Sequence, residues 1–214
     1  GFKAQTAKAI KQKLTLYNPK YEDARRMGRY TANIPENLTF YINDEHGDLL
    51  FPRGFSDRAY RICLQYGENV EVKDHRRTLP SVDYKFKGLL RDYQERAVSE
   101  MIRHTHGTLS APTGSGKTVM ALSIIARQQQ PALIIVHTRE LLNQWIKAIE
   151  QFLVIPVDEV GIMGGGKLRP GKIVTVGLVQ TLKNKWTDIV DQVGHVIVDE
   201  CHKCPARTFT DVIT

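Results

Sequence analysis

The run TLSAPTGSGKTVM, residues 108–120, decides how the second half of this chain folds. Gly114 and Gly116 admit backbone conformations closed to other residues and bring N–H groups up to an anion. The following KTVMALSIIARQQ has a helical pattern, and a helix N-terminus adds the positive end of its dipole. Lys117 has the reach for the β- and γ-phosphates of a nucleotide, and the Thr118 hydroxyl is a ligand for Mg2+. The spacing is G-x-x-x-x-G-K-[ST] with Ala111 in place of the first glycine. TLSA (108–111) is predicted as the strand leading in. A strand before and an apolar helix after are what distinguish a phosphate loop from a glycine-rich turn carrying a surface lysine.

Working outward, HVIVDECHKCPA (195–206) raises a choice between two chemistries. Cys201, His202 and Cys204 suggest zinc, but structural zinc takes four ligands, usually as two separated pairs. The remaining cysteine, Cys63, falls in a predicted helix of the other half. An apolar strand that delivers two carboxylates at its C-terminal end suits the magnesium and water end of a nucleotide site instead. Asp199 is then the magnesium ligand and Glu200 the group that orients or deprotonates the attacking water.

Other short β-branched runs, ALIIV (132–136), VGIM (160–163) and IVTV (173–176), alternate with helical patterns such as RELLNQWIKAIEQF. Continuous apolar strands between amphipathic helices predict an α/β fold, a parallel sheet with helices on both faces. Ligands bind beyond the carboxyl ends of such strands. Thr138 and Arg139 follow ALIIV, and Gln180 and Thr181 follow IVTV, at helix starts suited to gripping a phosphodiester.

The first half reads as a small α+β unit in the order β-α-β-β-α-β. KLTLY (13–17), LTFYI (38–42), LLF (49–51) and NVEVK (69–73) are predicted strands, with NDEHGD as a hairpin turn. Asn18-Pro19 opens a helix to about Met27 that stops at Gly28, and Ser56 caps a helix running to Gly67. The polar stretch at 74–88 suggests a domain boundary near residue 85, giving a 1–85 accessory domain and an 86–214 domain.

The 214 residues carry a formal charge of +7, with +5 in residues 1–87 and +2 in 88–214. That excess, with ARRMGR (24–29), FPRG (51–54) and HRR (75–77), points to a polyanionic partner such as nucleic acid. The longest apolar run, 132–136, is far short of the ~20 residues of a membrane span, and no secretory signal is evident. Three cysteines do not suggest a disulfide framework and fit a reducing, cytoplasmic setting.

With these motifs placed in order, residues 86–214 resemble the first RecA-like motor domain of superfamily 2 helicases and translocases. LLRDYQERAV (89–98) resembles the Q motif, PTGSGKT (112–118) motif I and VHTRELLNQW (136–145) motif Ia. VTVGLVQTL (174–182) resembles motif Ib and DECH (199–202) motif II. DECH resembles the duplex-DNA branch with XPB-like and phage UvsW-like enzymes and restriction-enzyme motor subunits, rather than the DEAD-box branch.

The resemblance implies ATP and Mg2+ as cofactors and DNA, duplex or branched, as partner. It implies that Gln94 reads the adenine edge and Arg91 packs on the base. Thr113, Gly114, Ser115, Gly116, Lys117 and Thr118 would hold the phosphates. His202 would couple the nucleotide site to the nucleic-acid side. It also implies a motif III and a second RecA-like domain with an arginine finger beyond TFTDVIT, without which hydrolysis would be slow. The rival expectations are a restriction-enzyme motor, a nucleic-acid-binding module with a vestigial nucleotide site, and, least supported, a small-molecule kinase.

Overall fold

The computed structural model describes residues 2–75 and 78–203. They fall into two compact units, Gly1–Asp74 and His75–Thr214. Arg76, Arg77, Cys204 and the terminal TFTDVIT lie outside the described residues. No helix among the described residues is long and apolar enough to cross a membrane.

The first unit runs α1 (Ala4–Lys13), β1 (Thr15–Tyr17), α2 (Pro19–Arg26), β2 (Asn37–Thr39), β3 (Ile42–Asn43), β4 (Leu49–Leu50) and α3 (Ser56–Gln65). Asn18 caps α2 as the sequence suggests, its side chain accepting from Lys20 N at 3.1 Å, and Gly28 ends it in a left-handed conformation. NDEHGD does turn a hairpin, β3 onto β4. Three expectations need correction. The basic opening is helical, because alanine, lysine and glutamine are strong helix formers and Thr6 and Ile10, one turn apart, are both buried. LTFYI, expected as one strand, splits, its first part pairing with β1 and its last with β4, so the short strands form two small sheets. NVEVK is not a strand; it has no ladder partner among the described residues, although Val70 packs beside Ile10, Leu14 and Cys63.

The second unit contains α4 (Asp92–Ile102), α5 (Lys117–Gln128), β5 (Ala132–Val136), α6 (Arg139–Leu153), β6 (Gly161–Gly164), β7 (Lys167–Arg169), β8 (Val174–Leu178), α7 (Val179–Lys185) and β9 (His195–Val198). The sheet order is β7-β6-β8-β5-β9, with β6, β8, β5 and β9 parallel and β7 antiparallel at the edge. All five residues of β5 are buried, and their alternation assigns them to opposite faces. Ala132, Ile134 and Val136 pack with the α5 and α6 core, while Leu133 and Ile135 pack with Val179 and Leu182 of α7. Helices therefore cover both faces, the α/β arrangement the sequence predicts.

Two sequence expectations shift here. TLSA is not paired into a strand among the described residues; Leu109 and Ala111 are apolar because they pack on Val98, Met120 and Ile124 of α4 and α5. The boundary lies at 74/75 rather than near 85, because the intervening segment docks on the sheet. Val82 N donates to Gln129 O at 2.9 Å. The Tyr84 hydroxyl sits 3.0 Å from Gln130 O and 2.8 Å from Ile173 O.

Candidate nucleotide and nucleic-acid site

The phosphate loop turns at residues 113–115 and enters α5 through Gly116, at φ 80° and ψ 35°. That left-handed conformation strains any residue bearing a Cβ. A Cβ here would also meet Gln94 Nε2 at 2.4 Å, so that amide would have to move and give up its bond to Ser115 O. Gly114, at φ 79°, has open space where its Cβ would be. Lys117 Nζ reaches back over the loop to Ala111 O at 3.0 Å and Pro112 O at 3.2 Å. Ser115 Oγ is buried and has no hydrogen-bond partner among the described residues.

Helix α4 supports the loop from one side. Gln94 is 6% exposed, and both ends of its amide are engaged. Oε1 accepts from Arg91 N at 2.9 Å, and Nε2 donates to Ser115 O at 2.8 Å. Tyr93 OH donates to the same carbonyl at 2.9 Å. Gln94 thus braces the loop, and these two bonds use one of its two N–H groups and one of its two lone pairs. Arg91 is exposed at the helix N-cap.

Because β6, β8, β5 and β9 are parallel, everything that follows their last residues stands on one edge of the sheet. In spatial order that edge carries Gly165 and Gly166 after β6, Gln180 and Thr181 after β8, Thr138 and Arg139 after β5, and Asp199 and Glu200 after β9. Strands lie about 4.8 Å apart, so β6 to β9 spans roughly 14 Å. Thr138 caps α6, accepting from Leu141 N at 3.2 Å, which leaves Arg139 exposed in the first turn. The β6–β7 turn approaches it, since a Cβ on Gly165 would lie 3.9 Å from Arg139 Nε.

At the end of β9, Asp199 N continues the ladder to Ile135 O at 3.0 Å. The Asp199 carboxylate accepts from Trp145 Nε1–H through Oδ2 at 2.8 Å and from Glu200 N–H through Oδ1 at 3.0 Å. Glu200 is left-handed at φ 55°, a costly conformation for a residue with a side chain. Its carboxylate lies 3.1 Å from His202 Nδ1, so the coupling candidate touches the candidate general base directly. Of the rival zinc set, Cys201 is exposed and Cys63 is buried in the core of the first unit, where desolvation raises its thiol pKa.

A family model described as type III restriction enzyme, res subunit, matches residues 87–214, more than half of the chain. The chain belongs to this family. Among curated relatives, the DNA 3'-5' translocase XPB2 of Sulfurisphaera tokodaii is 30% identical over 154 residues, 71% of this chain and 34% of that protein. The chain therefore spans about a third of that relative's length. The UvsW helicase of bacteriophage T4 shares the fold, with a TM-score of 0.67 at 18% identity, covering 99% of this chain and 81% of that one. The res-family chain is thus a superfamily 2 motor domain of the XPB and restriction-enzyme type, and its RecA-like fold is the one UvsW shares.

In the res-family site, the residues present fit a magnesium nucleotide. A hydroxyl and a carboxylate, Thr118 and Asp199, are the hard oxygen donors Mg2+ prefers. Each Asp199 oxygen accepts one protein hydrogen bond and retains further lone pairs. The buried, unpartnered Ser115 Oγ and the loop-folded Lys117 are the polar groups a phosphate chain would engage. Sequence reasoning assigned no role to Tyr93, Trp145 or Gly164–Gly166. A tryptophan within an otherwise aliphatic helix face, and three consecutive glycines at a strand end, were the available signals.

Proposed function

We propose that this chain is the nucleotide-binding half of an ATP-dependent DNA helicase or translocase, preceded by a basic DNA-holding unit. The observation that carries the reading is the single sheet edge, on which Gln180, Thr181, Thr138 and Arg139 run in strand order toward Asp199 and Glu200. A nucleic-acid strand crossing β8 and β5 would end beside the carboxylates at β9, so one sheet edge would bring strand and nucleotide together.

In this reading Thr113, Gly114, Ser115 and Gly116 offer backbone N–H groups and a hydroxyl to the phosphates, and Lys117 neutralises their charge. Gln94 uses its remaining amide hydrogen and lone pair on the adenine edge, with Arg91 over the base. Thr118 and Asp199 would hold Mg2+, which when bound supplies positive charge to the phosphate oxygens. Glu200 aligns the attacking water and takes its proton, and His202 transmits the state of Glu200 toward the nucleic-acid edge. Full activity requires a second RecA-like domain supplying an arginine finger, worth about 10³–10⁵ in rate.

The exposed Arg25, Arg29 and Arg53 of the first unit contact phosphates of duplex or branched DNA. The free Cys63 and Cys201 fit a reducing, cytoplasmic setting.

Binding of a fluorescent ATP analogue, with and without Mg2+, to the wild type and to Lys117→Ala tests the reading. Loss of a charge-assisted contact predicts about 10–100-fold weaker binding in the variant. DNA affinity of the same samples should fall steeply with salt. Absent nucleotide binding with salt-sensitive DNA binding intact would replace this reading with a nucleic-acid-binding module.

A further inference from the structure

Trp145 is the largest side chain on the buried face of α6, 3% exposed, in line with Leu142, Ile146 and Ile149. A buried indole must find an acceptor for its N–H. Here the acceptor is Asp199 Oδ2, at 2.8 Å. With Glu200 N on Oδ1 at 3.0 Å, the carboxylate is held from both sides and its plane is fixed.

The chemistry of the donor matters. An arginine or lysine at this point would cancel the charge of Asp199 and repel a divalent cation. The indole N–H is neutral, never ionises in the working range and offers no acceptor of its own. It orients the carboxylate without competing for the metal or weakening its charge. Partners behind a metal ligand commonly affect metal affinity in this way.

The same side chain belongs to the helix that opens with Thr138 and Arg139. Seven residues separate position 138 from 145, about 10 Å along a rigid helix. Asp199 is also in ladder contact with the strand before that helix, through Ile135 O at 3.0 Å. A shift of the α6 N-terminus therefore has a direct mechanical route to one carboxylate.

We propose that Trp145 is the positioning residue of this site: its indole N–H fixes Asp199 and ties it to the helix presenting Thr138 and Arg139. This rests on the reading of Asp199 as the magnesium ligand.

The 214-residue chain carries two tryptophans, so Trp186→Phe leaves Trp145 as the single indole. In that background, binding of a non-hydrolysable ATP analogue is titrated with Mg2+ in the parent, Trp145→Phe, Asp199→Asn and the double variant. Trp145→Phe should raise the Mg2+ concentration for half-maximal binding by about 10–100-fold while changing Mg2+-free affinity by less than about twofold. Adding it to Asp199→Asn should change nothing further, because the two act through one contact.

In the parent, the Trp145 indole N–H resonance should move on adding Mg2+ with the analogue, and should lie elsewhere in Asp199→Asn. That measurement leaves Trp145 in place and decides the matter if Trp145→Phe does not fold. Unchanged Mg2+ dependence in Trp145→Phe overturns the proposal. So does an equal loss of affinity with and without Mg2+, or an indole resonance indifferent to Asp199→Asn. A parent that binds the analogue without any Mg2+ dependence instead refutes the assignment of Asp199, and the proposal with it.

Discussion

Arg127 grips Glu95 through both ends of its guanidinium, Nη1 on Oε1 at 2.7 Å and Nη2 on Oε2 at 2.6 Å. The pair joins α4, whose Gln94 braces the phosphate loop, to α5, which begins with Lys117. The Arg127 hydrogen bonds hold the Glu95 carboxyl below its ordinary pKa of 4.5. The folded chain thus favours the ionised form more than the unfolded chain does. This stabilisation is fully present above pH 4.5 and is lost as the pH falls through the depressed value. Thermal unfolding followed by circular dichroism should show Glu95→Gln less stable than wild type at neutral pH. The difference should vanish as the solution is acidified, and should shrink in high salt because both side chains reach solvent.

Gly116→Ala should damage the site and the fold together. The left-handed backbone costs a residue with a Cβ about 1–2 kcal/mol. The added carbon also displaces Gln94, whose Nε2 it would meet at 2.4 Å. Denaturant unfolding should report the first effect, and ATP-analogue binding should weaken beyond what the stability loss explains.

Tyr84 decides where the second unit begins. Its buried hydroxyl reaches the carbonyls of Gln130 and Ile173, and burial raises its pKa. Tyr84→Phe should cost about 1 kcal/mol, the usual worth of a buried hydrogen bond. In a chain this size that lowers Tm by roughly 2–4 °C. A chain starting at residue 75 should unfold at a higher temperature than one starting at residue 86, which lacks Val82 and Tyr84 altogether.

His195 opens β9 opposite Ala132, and burial lowers its pKa from 6.5. The folded chain keeps the ring neutral where the unfolded chain would begin to protonate it. Its contribution is present above pH 6.5 and declines as the pH drops through the lowered value. His195→Asn should therefore narrow the difference in unfolding midpoint between pH 7.5 and pH 5.5, conditions chosen about one unit to either side of an ordinary histidine pKa.

The sequence by itself determined what depends on local pattern. The β-branched runs became β5, β6, β8 and β9; continuous apolar strands suit burial on both faces, which β5, β6 and β8 achieve throughout, while β9 at the end of the sheet is only partly covered. Gly114, Gly116 and Lys117 specified their loop because so few residue types tolerate its backbone. Asn18 and Gly28 bounded α2 for reasons that lie within a few residues of chain.

Tertiary structure decided the rest, wherever a segment's state depends on a distant partner. TLSA and NVEVK have strand-like composition, yet a strand needs a neighbouring ladder and neither has one among the described residues. Residues 78–87 look like a linker but belong to the second unit, because Tyr84 meets carbonyls 46 and 89 positions away. The contact between Trp145 and Asp199 spans 54 positions. No periodicity encodes it; it exists because parallel pairing sets the end of β9 beside β5, under the helix that β5 leads into.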